Sequence, residues 1–159
     1  MKTIKTLTLA LALATLGGCA STNYADYEVG EATISNLQVN EVYNMKKGQH
    51  KFAVSFDYEI AKYINKTGLY FCTLQFITIN DTTMSLLKGK KQPCQLDKAK
   101  GEVSVSFPSI IDKSMIAYTS KEELNNLKYP MEYFIAIHQS TDKTISRIIG
   151  RSVTQVSKL

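Results

Sequence analysis

The chain reads as all-β, an antiparallel β-sandwich with one short helix near residues 120–127, and three features of the sequence carry that reading. In residues 51–60, Phe52, Val54, Phe56, Tyr58 and Ile60 alternate with Lys51, Ala53, Ser55, Asp57 and Glu59. Period two puts the large apolar groups on one face of a strand and the charges on the other. At least six β-rich runs recur at intervals of about 12 to 20 residues with turn signals between them. Residues 69–80, LYFCTLQFITIN, are apolar on both faces, as suits the middle of a covered sheet. An up-and-down barrel uses the same signals and stays open as the alternative.

Ahead of these strands lies a different kind of segment. Lys2 and Lys5 make a positive head, residues 7–16 an apolar run, and Gly17 and Gly18 a small-residue cleavage region. These are the three parts of a secretory signal. Ten helical residues rise about 15 Å, half of a bilayer core of about 30 Å, so the run is an address and not a membrane span. Leu16-Gly17-Gly18-Cys19 resembles the lipobox of bacterial lipoproteins. The resemblance implies that the Cys19 thiol receives a diacylglyceryl group, that residues 1–18 are removed, and that the new amino group is acylated, with palmitate as a typical chain. Two or more chains hold a protein on a membrane stably, where one does not. Ala20 in place of Asp implies, by the same resemblance, release to the outer membrane, facing the periplasm. The alternative is an ordinary signal peptide cut near a cysteine.

Taking eighteen residues from 159 leaves 141, enough for one domain with its own core. Two of the 19 lysines and arginines leave with the leader, so 17 basic side chains face 14 acidic ones. A surplus this small does not argue for nucleic acid, and the export signal argues against it. With Cys19 taken by lipid, Cys72 and Cys94 remain in a disulfide-permissive compartment, and a bridge between them is expected. Two free thiols and a metal pair are the alternatives, the second opposed by the lack of a nearby histidine.

Residues 19–31 read as the lipidated cysteine and a tether, with Tyr24 and Tyr27 able to dock on the body or on headgroups, and residues 32–159 as the sandwich. Ile34, Leu37 and Val39 break alternation at Ser35-Asn36, which predicts a bulge. Residues 45–49 make a turn, the strand of residues 51–60 follows, and residues 62–68 turn the chain into the long run containing Cys72. Residues 81–100 are polar and lysine-rich, a weak strand and loops pinned by Cys94. Gly101 opens another alternating strand through Val103, Val105 and Phe107, ended by Pro108. Ser120-Lys121-Glu122-Glu123 is a capping box that predicts a helix over residues 122–127. Residues 131–139 and 144–156 supply the last strands.

Leu127-Lys128-Tyr129-Pro130-Met131-Glu132-Tyr133-Phe134-Ile135 resembles the entry to strand F of immunoglobulin-like and fibronectin type III domains, with Tyr133 placed as the tyrosine of a tyrosine corner. The resemblance implies an immunoglobulin-like sandwich. The chain has no Trp for the usual core position.

No nucleophile elbow, phosphate loop or zinc-binding motif is present, so no catalytic residue, cofactor or metal is expected. His50, in a turn, and His138, near a strand end, read as surface histidines. Asp57 and Glu59 lie about 7 Å apart along one strand face and read as its wet side. Lys88, Lys90, Lys91, Lys98 and Lys100 surround Cys94 as a basic loop that either meets anionic headgroups or blocks a sheet edge. The expectation is a lipid-anchored envelope protein whose sandwich binds or scaffolds an unidentified envelope protein. An accessory lipoprotein of a secretion or pilus assembly is the first alternative, and a small-ligand carrier or hydrolase the second.

Overall fold

The computed structural model describes residues 23–27, 29–85, 94–116, 119–141 and 146–159. They form an all-β sandwich of two antiparallel sheets. The first sheet has the order β1 (Ala32–Asn44), β2 (Gln49–Ile60), β6 (Lys100–Pro108). The second runs β4 (Thr83–Ser85), β3 (Tyr70–Ile77), β7 (Glu132–Ser140), β8 (Ser146–Arg151), with β5 (Cys94–Gln95) also on β3 and β9 (Gln155–Val156) also on β7.

Strand β2 keeps the predicted alternation. Phe52, Val54, Phe56, Tyr58 and Ile60 are all buried, and they meet Tyr70, Cys72, Leu74 and Phe76 of β3 and Tyr133, Ile135 and Ile137 of β7 in one core. The register of β1 on β2 shifts between Ser35 and Gln38, where Asn36 takes a φ of 52°. That is the bulge the sequence pattern predicts. It lets Leu37 and Val39 rejoin the inner face after Ile34. Strands β3 and β7 are buried on both sides: Ile77, Phe134 and Ala136 form a second apolar cluster on the face away from the main core.

Three further features brace the frame. Cys72 and Cys94 are joined in a disulfide with Cα atoms 5.2 Å apart, and this ties β5 to β3. Closing the loop of 22 residues stabilises by roughly 3 kcal/mol through the unfolded chain. The Ser120 hydroxyl accepts from the Glu123 amide while the Glu123 carboxylate accepts from the Ser120 amide, and helix α2 (Lys121–Asn125) follows, ending two residues short of the expected span. An additional one-turn helix, α1 (Lys113–Ile116), lies between β6 and α2.

At one corner the backbones at the ends of the two sheets meet directly. The Glu31 amide donates to the Ile149 carbonyl, and Arg147 clasps the Glu31 carboxylate with both terminal nitrogens. There β8 passes so close to the start of β1 that a Cβ on Gly150 would stand 2.5 Å from the Ala32 carbonyl oxygen. Only glycine fits that crossing.

Candidate functional site

Polar chemistry in the sandwich collects at two histidines, and both are buried. His50 is 1 % exposed and His138 is 7 % exposed, which corrects their expected surface placement. The periodicity explains the first: His50 is in phase with Phe52 and Val54 and therefore points inward. The second lies in phase with Phe134 and Ala136 on the covered outer face of β7.

His50 is held from three directions. Its Nδ1 lies 2.7 Å from Ser109 Oγ, its Nε2 lies 2.6 Å from Glu41 Oε1, and its backbone amide donates to Asp112 Oδ2 at 2.9 Å. With Nε2–H directed at the carboxylate, Nδ1 accepts the Ser109 hydroxyl proton, while Ser109 Oγ accepts from the Ile111 amide at 3.2 Å. Glu41 is claimed again by the C-terminal segment: the Ser157 hydroxyl donates to Oε1 at 2.6 Å and the Lys158 amide to Oε2 at 2.8 Å. Burial pushes the Glu41 carboxyl up, but the Ser157 hydroxyl, the Lys158 amide and His50 outweigh it and hold Glu41 below its ordinary pKa. Asp112 follows the same logic, with burial overcome by the Ser114 hydroxyl and amide and by the His50 amide.

A hydroxyl, an imidazole and a carboxylate in line have the composition of a hydrolytic triad, but a nucleophile has to reach its substrate. Ser109 is 0 % exposed, and its oxygen is bonded on one side by its own turn and on the other by His50. The arrangement acts as a bracket joining β1, β2, the turn after β6 and the last three residues.

His138 has a different setting. Its ring stacks on Phe71 with centroids 4.8 Å apart and planes 2° from parallel. Thr73 Oγ1, which accepts from Gln75 Nε2 at 2.7 Å, turns its own proton to His138 Nε2 at 2.8 Å. The opposite nitrogen then carries the hydrogen toward Ser146 Oγ at 3.3 Å. Burial pushes the His138 pKa down to about 4, so the ring is neutral at neutral pH.

Asp57 and Glu59 lie on the outer face of β2, opposite to His50, so no single cavity gathers them with either histidine. Asp57 accepts from Asn36 Nδ2 at 2.6 Å. That face carries two shallow grooves of about 300 and 410 Å³, one floored by Ala53, Ser55 and Ser104, the other beside Asp57, Glu59, Lys100 and Glu102. Lys98 and Lys100 are exposed at the entry to β6. Lys88, Lys90, Lys91 and the lipobox with Cys19 lie outside the described residues. Among the described residues no group of three His, Cys, Asp or Glu side chains is placed to hold a metal ion.

The segment before β1, read from the sequence as tether, is partly docked. The Tyr24 amide donates to the Asp81 carbonyl at 2.9 Å, and its ring stacks on Phe134 beneath the Arg151 guanidinium. The Tyr27 hydroxyl meets the Thr83 hydroxyl at 2.9 Å. Sequence reasoning missed the bracket itself, although a signal was available: Glu41 follows Leu37 and Val39 in the inward phase of β1, where a charge needs a buried partner. No protein family, curated protein or solved structure matches the chain.

Proposed function

We propose that the protein is a lipid-anchored lipoprotein of a bacterial cell envelope, held at the outer membrane through Cys19, and that its sandwich serves as a protein-binding or scaffolding module. The observation that carries this reading is Leu16-Gly17-Gly18-Cys19 at the end of a charged and then apolar leader. The docking of Tyr24 supports a particular form of it. Cys19 lies only four positions before Asn23, the first described residue, and four residues span at most about 14 Å. An anchor at Cys19 therefore keeps the sandwich against the headgroups, with no long stalk. The bracket at His50 supports the structural side of the reading, because it spends hydroxyl, imidazole and carboxylate on holding strands and tail together.

The test is the mass of the N-terminal peptide from the native product. A diacylglyceryl and acyl adduct on Cys19 with residues 1–18 absent is the expected result, and Cys19→Ser releases the protein from membranes. An unmodified thiol at Cys19, or a retained leader, overturns the proposal.

A further inference from the structure

The three-stranded sheet has two edges, and they are built differently. The β1 edge is broken by the bulge at Asn36, and the C-terminal segment is drawn beside it by Glu41. Among the described residues the β6 edge has neither protection. Its register on β2 runs without a shift from Lys51 opposite Pro108 to Glu59 opposite Lys100. Between Lys100 and Pro108 the only charge is Glu102, and among the described residues β6 pairs with β2 alone. Natural sheets usually blunt such an edge with lysine, proline or a bulge.

The hydrogen-bond phase of the ladder says which groups this edge presents. Opposed residues in an antiparallel pair alternate between those that exchange both bonds and those that exchange none. The Ile60 amide donates to the Ala99 carbonyl at 2.7 Å, and the Ser109 amide to the His50 carbonyl at 2.8 Å. Counting inward from either end, Gly101, Val103, Val105 and Phe107 spend their amides and carbonyls on β2. Glu102, Ser104 and Ser106 point theirs away from the sheet. On the inner side of the same edge Val103 and Val105 are only partly buried, although they pack on the core.

We propose that the occupant of this edge is a second copy of the chain, with the two β6 strands antiparallel about a two-fold axis through Ser104. The sequence of the edge is complementary to itself in that register. Ser104 faces Ser104, and Glu102 faces Ser106 of the second copy, so all three outward-pointing residues exchange both backbone bonds. On the inner side Val103 meets Val105 and covers it, while Gly101 meets Phe107 and Lys100 meets Pro108, so no like charges are opposed. Moving the axis to Glu102 would set two carboxylates face to face, which is unfavourable. The product is one continuous six-stranded sheet shared by two sandwiches, which goes beyond the binding role proposed above and does not depend on the lipid anchor.

Site-directed crosslinking of the full chain, in membranes or detergent, tests the register. Residues that exchange both bonds have Cα atoms about 5.5 Å apart, within disulfide reach, so S104C should link to itself under mild oxidation. S106C lies about 13 Å from its equivalent and should link at least about tenfold less. S104P removes an amide that points away from β2, so β2 pairing survives while the dimer in sedimentation is lost, and S104K does the same through charge. Unchanged melting of S104K separates loss of pairing from loss of fold. A monomeric parent chain, equal linking of S104C and S106C, or a dimer that persists in S104K overturns the proposal, as does S104C captured only on a different protein. A parent dimer that is covalent without reductant and that Cys19→Ser abolishes marks a free thiol at residue 19. That outcome counts against the anchor and leaves the S104C pattern to be read in the Cys19→Ser background.

Discussion

His50 and His138 are almost equally hidden from water, yet the chain treats them in opposite ways. His50 is given a carboxylate, a hydroxyl and the reach of three distant chain segments. Among the described residues His138 is given two hydroxyls and an aromatic face, with no acid in contact. A carboxylate beside a buried imidazole gives its N–H a fixed acceptor shared with other segments, whereas burial among hydroxyls favours the neutral ring. The first setting suits a joint between segments, and the second suits filling a sheet face that the chain covers.

The sharpest way to break this comparison is to remove the acid. Glu41→Ala leaves His50 Nε2, the Ser157 hydroxyl and the Lys158 amide without their shared acceptor, and should cost about 3 to 5 kcal/mol in denaturant unfolding. A loss below 1 kcal/mol would mean that the bracket is incidental.

The pH dependence of stability separates the two histidines next. His138 has an ordinary value near 6.5 unfolded and about 4 folded, so its neutral form is the one that folding favours. Its contribution is complete above about 6.5, declines as the unfolded chain takes up the proton, and is lost below about 4. The whole window is worth about 3 kcal/mol. His138→Gln should flatten that part of the curve, as read by urea midpoints between pH 7.5 and 4.5. Glu41 contributes in a different window: its folded pKa is lowered, so its stabilisation is present above the ordinary carboxyl value and lost as pH falls through the lowered one.

Two smaller changes sharpen the contrast. Ser157→Ala deletes one donor to Glu41 and should cost about 1 kcal/mol, with faster hydrogen exchange of the Lys158 amide. Ser146→Ala touches His138 only across 3.3 Å at a partly exposed site and should shift the midpoint by less than about 0.5 kcal/mol. If the second variant proves worse than the first, the roles assigned to the two histidines are reversed.

Much of the frame was legible because it is written in local terms. The alternation of β2, the bulge after Ser35 and the capping box at Ser120 each need only a few consecutive residues, and each is where the pattern puts it. The both-sided burial of β3 could be read from LYFCTLQFITIN. What could not be read is whatever depends on two distant segments meeting. Residues 113–116 have no amphipathic period, and α1 forms where the chain turns behind β2. Tyr24 reads as linker until Phe134 and Arg151 are placed beside it. His50 and Glu41 lie in plain phase with apolar neighbours, but polar residues were read as solvated, and only the register of β1 on β2 with the tail behind them shows that they satisfy one another.

The near-collision of Gly150 with Ala32 bears on how the molecule is made. Its closing contacts join residues 31 and 32 to residues 147–150, and residue 41 to residues 157 and 158. The first strand therefore cannot be locked until residues 147–158 have been made, because the groups that hold it lie far along the chain from it. That corner closes late, with the arrival of β8.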